Sequence, residues 1–479
     1  MNVQLNLDDQ QLHTILAQVT QEATAFLQDL PERSVGTTST RPAALSLPAD
    51  GMGAVKALGL FRQRFAEGLS GSAGARYFGF VTGGATPASI VGDWLTTIYD
   101  QNALGSAESN VAWLELETIA FLRELFHLPE AYSGSFVTGA TMSNFVGLAL
   151  GRQWVGHQHG VNVAQEGLGA CPPIRVLSGT PHSSIYKALS MLGMGRASVE
   201  LIPSLPAREA VDVRQLTERL AELAGEPCIV VANAGTVNTV DYDDLQAIAE
   251  LKGDPSGVGR KQYPFWLHVD GAFGGFAACS PLYRHWVAGM EKADSITIDA
   301  HKWLNVPYDS AAQFTRHHEL QPEVFQNAAV HLDQTPSHSS FVHLTPENSR
   351  RLRALPAWFS LMAYGREGYQ EIVERDCRLA KLLGDKINTS ANFRLLAPVR
   401  LNGICFTLNI ADHALSLAQV RHFLHILTNT GKVFLTPTIY KGTPAIRVSI
   451  TNWRTTDADI EIAWQALQEA SELFQNKAL

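Results

Sequence analysis

Lys302 stands in the run SITIDAHKW, directly after the apolar stretch Ser295–Ile298 and between His301 and Trp303. A lysine amine attacks a carbonyl carbon when desolvation or neighbouring cations keep it neutral. The alternative is an ordinary solvated lysine in a loop. Upstream, WLHVD ends in Asp270, followed by the small residues Gly271 and Ala272. A carboxylate there either lies beneath a bound ligand or caps the next turn, a common use of Asp. In FVTGATMSNFVGLAL the tight turn Gly139-Ala140-Thr141 precedes a helix. Such a turn offers free N–H groups and a hydroxyl to an anion, or simply uses Thr141 as an N-cap. In SGTPHSSIYKA, His182 falls at a helix start. An imidazole there can stack on an aromatic ligand, shuttle a proton, or bond the backbone as a cap. CIVVANA leads into Gly235-Thr236-Val237-Asn238, again at the end of an apolar run.

Each segment alone has a bland reading; their joint occurrence is more specific. Chemistry with pyridoxal phosphate (PLP) needs a lysine that forms a Schiff base and a carboxylate facing the pyridine nitrogen. Lys302 and Asp270 supply both from successive strand ends.

The elements that must position these residues follow from the texture of the chain. From about residue 76 to 310, short apolar runs alternate with helical patterns. Strands are expected at Ser135–Thr138, Ile174–Ser178, Cys228–Ala232, Trp266–Val269 and Ser295–Ile298, and helices at 142–152, 183–193, 213–224 and 242–251. This alternation predicts a mainly parallel sheet covered on both faces, with ligands bound at the carboxyl ends of its strands. Helices are expected at 7–30, ended by Pro31, and at 54–68. The polar stretch 320–350, with His331, His338 and His343, predicts a long loop. A strong helix at 354–387 and an alternating α+β tail follow. The expected division is 1–75, an N-terminal helical segment for dimerisation; 76–350, a large α/β domain that binds the cofactor; and 351–479, a small α+β domain.

Composition narrows the function. Hydrophobic residues make up 46% and charged residues 17% of 479, enough for ordinary packed cores. The formal net charge is −9, from 37 basic and 46 acidic residues. With no basic stripe or polybasic segment, neither a nucleic acid nor an anionic membrane is an expected partner. The five cysteines (Cys171, Cys228, Cys279, Cys377 and Cys405) are scattered and form no CxxC pair, which fits reduced thiols and a cytoplasmic location. The acidic start MNVQLNLDDQ is unlike a secretory signal, no apolar run is long enough to cross a bilayer, and no metal site is expected.

The segments YFGFVTGGATPASIVGDWL, TGATMSN, PHSS, AGTVNT, LHVDGAFGG, DAHKWLNVPYDS and TPAIRVSITNWRTTDADI together resemble the group II PLP-dependent amino-acid decarboxylases, the family of aromatic-L-amino-acid, histidine, tyrosine and glutamate decarboxylases. The resemblance spans roughly four-fifths of the chain, and HVDGAFGG and DAHKW are its most specific motifs. It implies the PLP-dependent fold type I (aspartate-aminotransferase-like), α-decarboxylation of an L-amino acid to an amine and CO2, and a homodimer with the active site at the interface. It also implies roles for residues. Lys302 would carry PLP as a Schiff base, and Asp270 would pair with the pyridine nitrogen. His182 would stack on the ring and take part in proton transfer, and Ala140 and Thr141 would hold the phosphate. Thr236 would sit near the ring oxygen and the substrate carboxylate, and Ala272 would pack under the ring. Asp299 and His301 would shape the lysine loop and the phosphate end. Phe80 and Thr82 would line the substrate pocket. Arg447 would contact the substrate carboxylate, the alternative being a surface salt bridge.

One departure stands out. Family decarboxylases often carry a tyrosine, on a loop after the lysine segment, that protonates the substrate carbon once CO2 has left. The matching stretch 329–346 contains none; Pro336 falls at or near that position, with His338, Phe341 and His343 close by. Relatives without that tyrosine can divert to oxidative deamination and release an aldehyde. The motif ENSRR (347–351) marks a distinct branch. Alternatives to simple decarboxylation are therefore an aldehyde synthase, another lyase or aminotransferase, and a non-catalytic homologue.

Overall fold

The computed structural model describes residues 2–36, 41–105, 109–252, 263–327, 340–410 and 415–476. Seven strands, β1 (Ser133–Val137), β2 (Val176–Ser178), β3 (Val199–Leu201), β4 (Cys228–Asn233), β5 (Phe265–Asp270), β6 (Ser295–Ile298) and β7 (Ala311–Thr315), form one sheet in the order β1-β7-β6-β5-β4-β2-β3. Every pairing is parallel except those of β7, which runs antiparallel to both neighbours. The expected mainly parallel sheet is therefore present, as fold type I requires. Strands β4, β5 and β6 are buried along their whole length. Near-continuous runs such as CIVVAN and FWLHVD suit strands covered on both faces.

Four antiparallel strands, β8 (Phe393–Leu395), β9 (Gly403–Leu408), β10 (Thr436–Tyr440) and β11 (Thr443–Ser449), form a second sheet in the order β10-β11-β9-β8. Helices Leu417–Asn429 and Asp457–Asn476 share a second apolar core with it, around Phe406, Phe423, Ile446 and Leu467.

Ahead of the large sheet lie α1 (Val3–Gln10), α2 (Leu12–Asp29), α3 (Ala54–Arg64), α4 (Pro87–Tyr99) and α5 (Val111–Leu125); α6 (Ala140–Gln158) follows β1. Helices α1, α2 and α3 bury no residue at all. Among the described residues no helix is long and apolar enough to cross a membrane.

Two expectations need correction. The stretch 320–350 is not one loop: Leu320–Phe325 is helical and Phe341–His343 forms a 3-10 turn, both packed inward through Leu320 and Phe341. Composition suggested a polar loop, but a few apolar residues suffice to dock such short turns. The helix expected at 354–387 spans Ala354–Thr389 and is broken at Gly365 (φ 60°, ψ −170°), a conformation glycine tolerates and other residues rarely adopt. Apolar spacing continues on both sides of the break, so periodicity alone hides it.

A fully buried ion pair fixes the edge of the large sheet. Arg350, in the ENSRR stretch, donates to both oxygens of Glu115 on α5 (2.8 and 3.1 Å) and to the carbonyls of Phe136 and Ala103. Glu115 in turn accepts from the Phe136 N–H at 2.8 Å. Removing one partner strands a buried charge. Arg350→Met is therefore expected to cost about 3–5 kcal/mol in denaturant unfolding. Glu115→Leu with Arg350→Met should cost less than the two single changes added; strict additivity would show that the pair does not act as a unit.

Two buried titrating groups give stability opposite pH slopes. Desolvation pushes His268, fully buried on β5, down to about 4 from 6.5, with Asp270 partly offsetting. Its contribution to stability is present above pH 6.5 and lost as the pH falls toward 4, because the unfolded chain takes up the proton first. Desolvation pushes Asp243, also fully buried, up to about 6 from 3.8, against hydrogen bonds from Val211 and Asn233. Its contribution is present below pH 3.8 and lost as the pH rises through 6. Urea unfolding of His268→Gln between pH 4 and 6.5 should therefore show less loss of stability on acidification than the wild type; an unchanged slope would contradict a neutral buried imidazole.

Candidate active site

Parallel pairing aligns the strand ends. Asp270 on β5 lies level with Asn233 on β4 and Thr297 on β6. Asp299 follows β6, and its N–H donates to the Ala272 carbonyl, tying the two strand ends together. Lys302 Nζ lies 3.3 Å from Asp299 Oδ2 and 5.6 Å from the centre of the Phe273 ring. His301 Nδ1 is 3.1 Å from the Ser310 carbonyl and 3.1 Å from Asp299 Oδ1. Its imidazole is held below the usual histidine range, mainly by desolvation, which Asp299 opposes. Trp303, behind the lysine, is fully buried and donates from Nε1 to Asp376 at 2.7 Å.

The sheet is covered here by α6. Gly139 is its N-cap and brings no capping side chain, so the first-turn N–H groups of Ala140 and Thr141 face outward without a cap. The reading of Thr141 as N-cap is thereby overturned: it lies inside the first turn. Close approach of α6 depends on Gly147, where an added Cβ would lie 2.6 Å from His268 Nδ1 and 3.0 Å from Ser295 Oγ. One turn before Gly147, Asn144 donates to Asp270 Oδ2 (3.0 Å) and to Ser184 Oγ (3.1 Å). Asp270 Oδ1 accepts from the Ala272 N–H at 3.2 Å. The turn-capping reading therefore describes Oδ1, while Oδ2 is held by Asn144.

His182 is the N-cap of helix Ser183–Met191, and its Nδ1 lies 2.8 Å from Ser184 Oγ and 3.3 Å from the Ser184 N–H. Desolvation lowers its pKa and Asp270 opposes that shift, while Lys302 and Arg447 add to it. The cap role and a place beside the Asp270 network are therefore compatible. Ala272 is buried in the same strand-end turn.

Thr236, buried after β4, donates to Glu209 Oε2 at 2.6 Å and accepts from the Asp241 N–H at 3.0 Å. Glu209 also accepts from Asn238 and Thr239. Arg447 on β11 is half-buried and donates to the Val237 carbonyl at 3.1 Å. It is thus a link from the small sheet to the Thr236 turn rather than a surface ion pair. Desolvation lowers its pKa.

Gly83 lies against the lysine backbone: an added Cβ there would clash with the Lys302 carbonyl oxygen, whereas Gly79 faces Phe434 and Gly84 faces Asn452. Phe80 (φ 60°) and Val81 (φ 61°) hold left-handed backbone, a strained conformation for such residues. The Phe80 ring is exposed beside Phe434, 5.9 Å between centroids. Thr82 is buried, with Oγ1 3.3 Å from the Tyr308 hydroxyl, and the Tyr308 ring lies 4.3 Å from His301. Pro336, His331 and His338 fall outside the described residues. His343 is buried with Nδ1 accepting from the Asn327 N–H, and Phe341 packs against Ala112 near Leu116.

The structure thus gathers Lys302, Asp299, His301, Asp270, Ala272, His182, Ala140 and Thr141 at the carboxyl end of the sheet. Thr82 lies beside Tyr308 of the lysine loop and Phe80 beside Phe434; Thr236 and Arg447 stand together at the neighbouring turn. Asn144, Ser184, His268, Glu209 and Tyr308 were not anticipated. Four of the five lie inside quoted motifs, where spacing gave no sign that they face the other groups. The donor set suits PLP: uncapped N–H groups and a hydroxyl for a phosphate, a carboxylate for a ring nitrogen, and an amine for a carbonyl carbon.

The family model described as the pyridoxal-dependent decarboxylase conserved domain matches residues 47–409, about three-quarters of the chain. A tryptophan decarboxylase of Camptotheca acuminata is 25% identical over 422 residues, covering 83% of this chain and 80% of that protein. The structure of Oryza sativa TDC with PLP and tryptamine superposes with a TM-score of 0.87 at 21% identity, covering 97% of this chain and 98% of the other. Rhodiola rosea 4-hydroxyphenylacetaldehyde synthase superposes with a TM-score of 0.83 at 18% identity, over 97% and 98%. These likenesses establish the fold, and the match over most of its length places the chain in the pyridoxal-dependent decarboxylase family, enzymes that act on amino acids with PLP as cofactor.

Proposed function

We propose that the chain decarboxylates an aromatic L-amino acid to its amine and CO2, with Lys302 holding the cofactor covalently. The observation that carries this reading is the convergence of Lys302, Asp270 and the uncapped start of α6 on one sheet end. Bound PLP supplies an electron sink for the pair left on the substrate's α-carbon when CO2 departs. Asp270 would keep a proton on the ring nitrogen. The N–H groups of Ala140 and Thr141, with the Thr141 hydroxyl, would bind the phosphate, and Asp299 and His301 would set the lysine loop. His182 would cover the ring and move a proton, while Ala272 packs beneath. Thr236 would hold the ring-oxygen side, and Arg447 would orient the substrate carboxylate. Phe80 and Thr82 would border the side-chain pocket, where the exposed Phe80 ring supports an aromatic substrate, as do the relatives above.

A second reading, aldehyde synthase, rests on the absence of tyrosine from 329–346 and on the likeness to the Rhodiola rosea enzyme. The chain is proposed to act as a cytoplasmic homodimer with the site at the interface. Unpaired thiols suit a reducing compartment. The exposed Leu12, Leu16, Val19, Leu27 and Phe61 of α2 and α3, with Trp94 and Ile98 of α4, support burial against a second copy. The division into 1–75, 76–350 and 351–479 follows the same logic, since the first segment has little core of its own.

Purified enzyme incubated with a panel of L-amino acids should release amine and CO2 in equal amounts, fastest with aromatic side chains. Aldehyde and peroxide in stoichiometric yield without amine would move the assignment to the second reading. Lys302→Ala should abolish turnover and the visible band of covalently held PLP. His182→Gln should keep the band and lower kcat by about 10²–10⁴-fold; an unchanged kcat would remove His182 from proton transfer. Sedimentation should give twice the chain mass.

A further inference from the structure

A line of buried polar groups runs along the α6-covered face of the sheet to the site. Trp266 Nε1 donates to Ser295 Oγ at 2.9 Å, and Ser295 Oγ lies 2.8 Å from His268 Nδ1. His268 Nε2 lies 2.9 Å from Asn144 Oδ1, and Asn144 Nδ2 donates to Asp270 Oδ2 at 3.0 Å. Trp266, His268 and Asn144 have no exposed surface and Ser295 has 1%. None of the four can touch a ligand in the cavity.

Both ends of the line are fixed by chemistry, so its direction is unique. An indole N–H can only donate, and a carboxylate oxygen facing an amide nitrogen accepts. From the Asp270 end, Asn144 Oδ1 faces His268 and can only accept, so a neutral His268 has a bare Nδ1 that takes the Ser295 hydroxyl proton, while Ser295 accepts from Trp266. A neutral His268 then carries its proton on Nε2 and gives it to Asn144 Oδ1. That fixes the Asn144 amide, whose two N–H groups point to Asp270 and to Ser184. Ser184, having accepted from Asn144, donates its hydroxyl proton to His182 Nδ1, where its own backbone N–H also arrives. Two donors on Nδ1 leave the proton of a neutral His182 on Nε2, the opposite edge of the ring.

We propose that Asn144 and His268 are positioning residues: through one directional hydrogen-bond chain they hold Asp270 as an acceptor and His182 as the Nε2–H tautomer. The two groups assigned above to the ring nitrogen and to proton transfer are thereby coupled through a single amide. The inference rests on that assignment for its meaning, but the chain itself exists without the cofactor. An Asn144 amide turned by 180° would set its oxygen against Asp270 and its nitrogen against the His268 N–H. Both contacts would be lost at Asn144 and His268, which have no exposed surface, so the His268 N–H acts as the latch. Desolvation, which keeps His268 neutral, supports the scheme.

The test has an arm with the cofactor and an arm without it. In the apoprotein, selective ¹⁵N-histidine NMR at pH 7, assigned with His182→Gln and His268→Gln, should show both rings neutral with the proton on Nε2. A proton on Nδ1 of either ring overturns the proposal. In the PLP-loaded protein, His268→Leu removes the latch while His268→Gln keeps a donor at the same reach. His268→Leu should weaken PLP binding about 10-fold or more and shift the midpoint of the cofactor band's pH titration; His268→Gln should stay close to the wild type. A folded His268→Leu protein, by circular dichroism, that binds PLP and titrates like the wild type also overturns it. Should His268→Leu fail to fold, the comparison of His268→Gln with Asn144→Leu takes its place: a normal band titration in Asn144→Leu overturns the proposal and a shifted one supports it. A wild-type protein that takes up no PLP would refute the functional assignment instead, and the apoprotein spectra would still decide the hydrogen-bond chain.

Discussion

The parallel register of β4, β5 and β6 is the constraint on which the rest depends. It sets Asn233, Asp270 and Thr297 in one row, so the turns that follow must emerge side by side at a single edge. A carboxylate, a lysine loop and a threonine turn from distant parts of the chain become neighbours without any contact having been built for the purpose. The antiparallel β7 closes one side of this row, and β1 beyond it delivers the start of α6 to the same edge.

Burial then determines which polar groups can be afforded. Asp270, Asn144 and His268 are carried inside because each has its partners already in place. The Glu115–Arg350 pair does the same at the sheet edge, holding Phe136, and through it the strand that leads into α6. The site is therefore rigid where the cofactor's fixed groups would lie. Its more open part is the Phe80 and Tyr308 side, where both rings are exposed.

Much of this was legible in the sequence, because the chemistry-bearing residues follow apolar runs long enough to be recognised. Ser295–Ile298 and Cys228–Asn233 appear in the structure almost as their composition implied, and Lys302, Asp270 and His182 come together. What was not legible depended on contacts across the fold. Nothing in TGATMSN says that Asn144 turns toward Asp270, and nothing in LHVDGAFGG says that His268 lies under a glycine of α6. The helix at Leu320–Phe325 was hidden because so short an element is stable only when docked. The break at Gly365 was hidden because apolar spacing resumes after it. Tyr308, six residues beyond the lysine, was overlooked because its neighbour Thr82 comes from the other end of the large domain's sequence.

Gly147 has a consequence of a different kind. Because α6 rests directly on His268 there, the height of its first turn above Asp270 is set by backbone meeting ring, with no compressible side chain between. In the proposed assignment that height would be the span between the phosphate and the ring nitrogen. The helix–strand contact is in effect a caliper: it sets the length of a molecule that would reach from the start of α6 to Asp270.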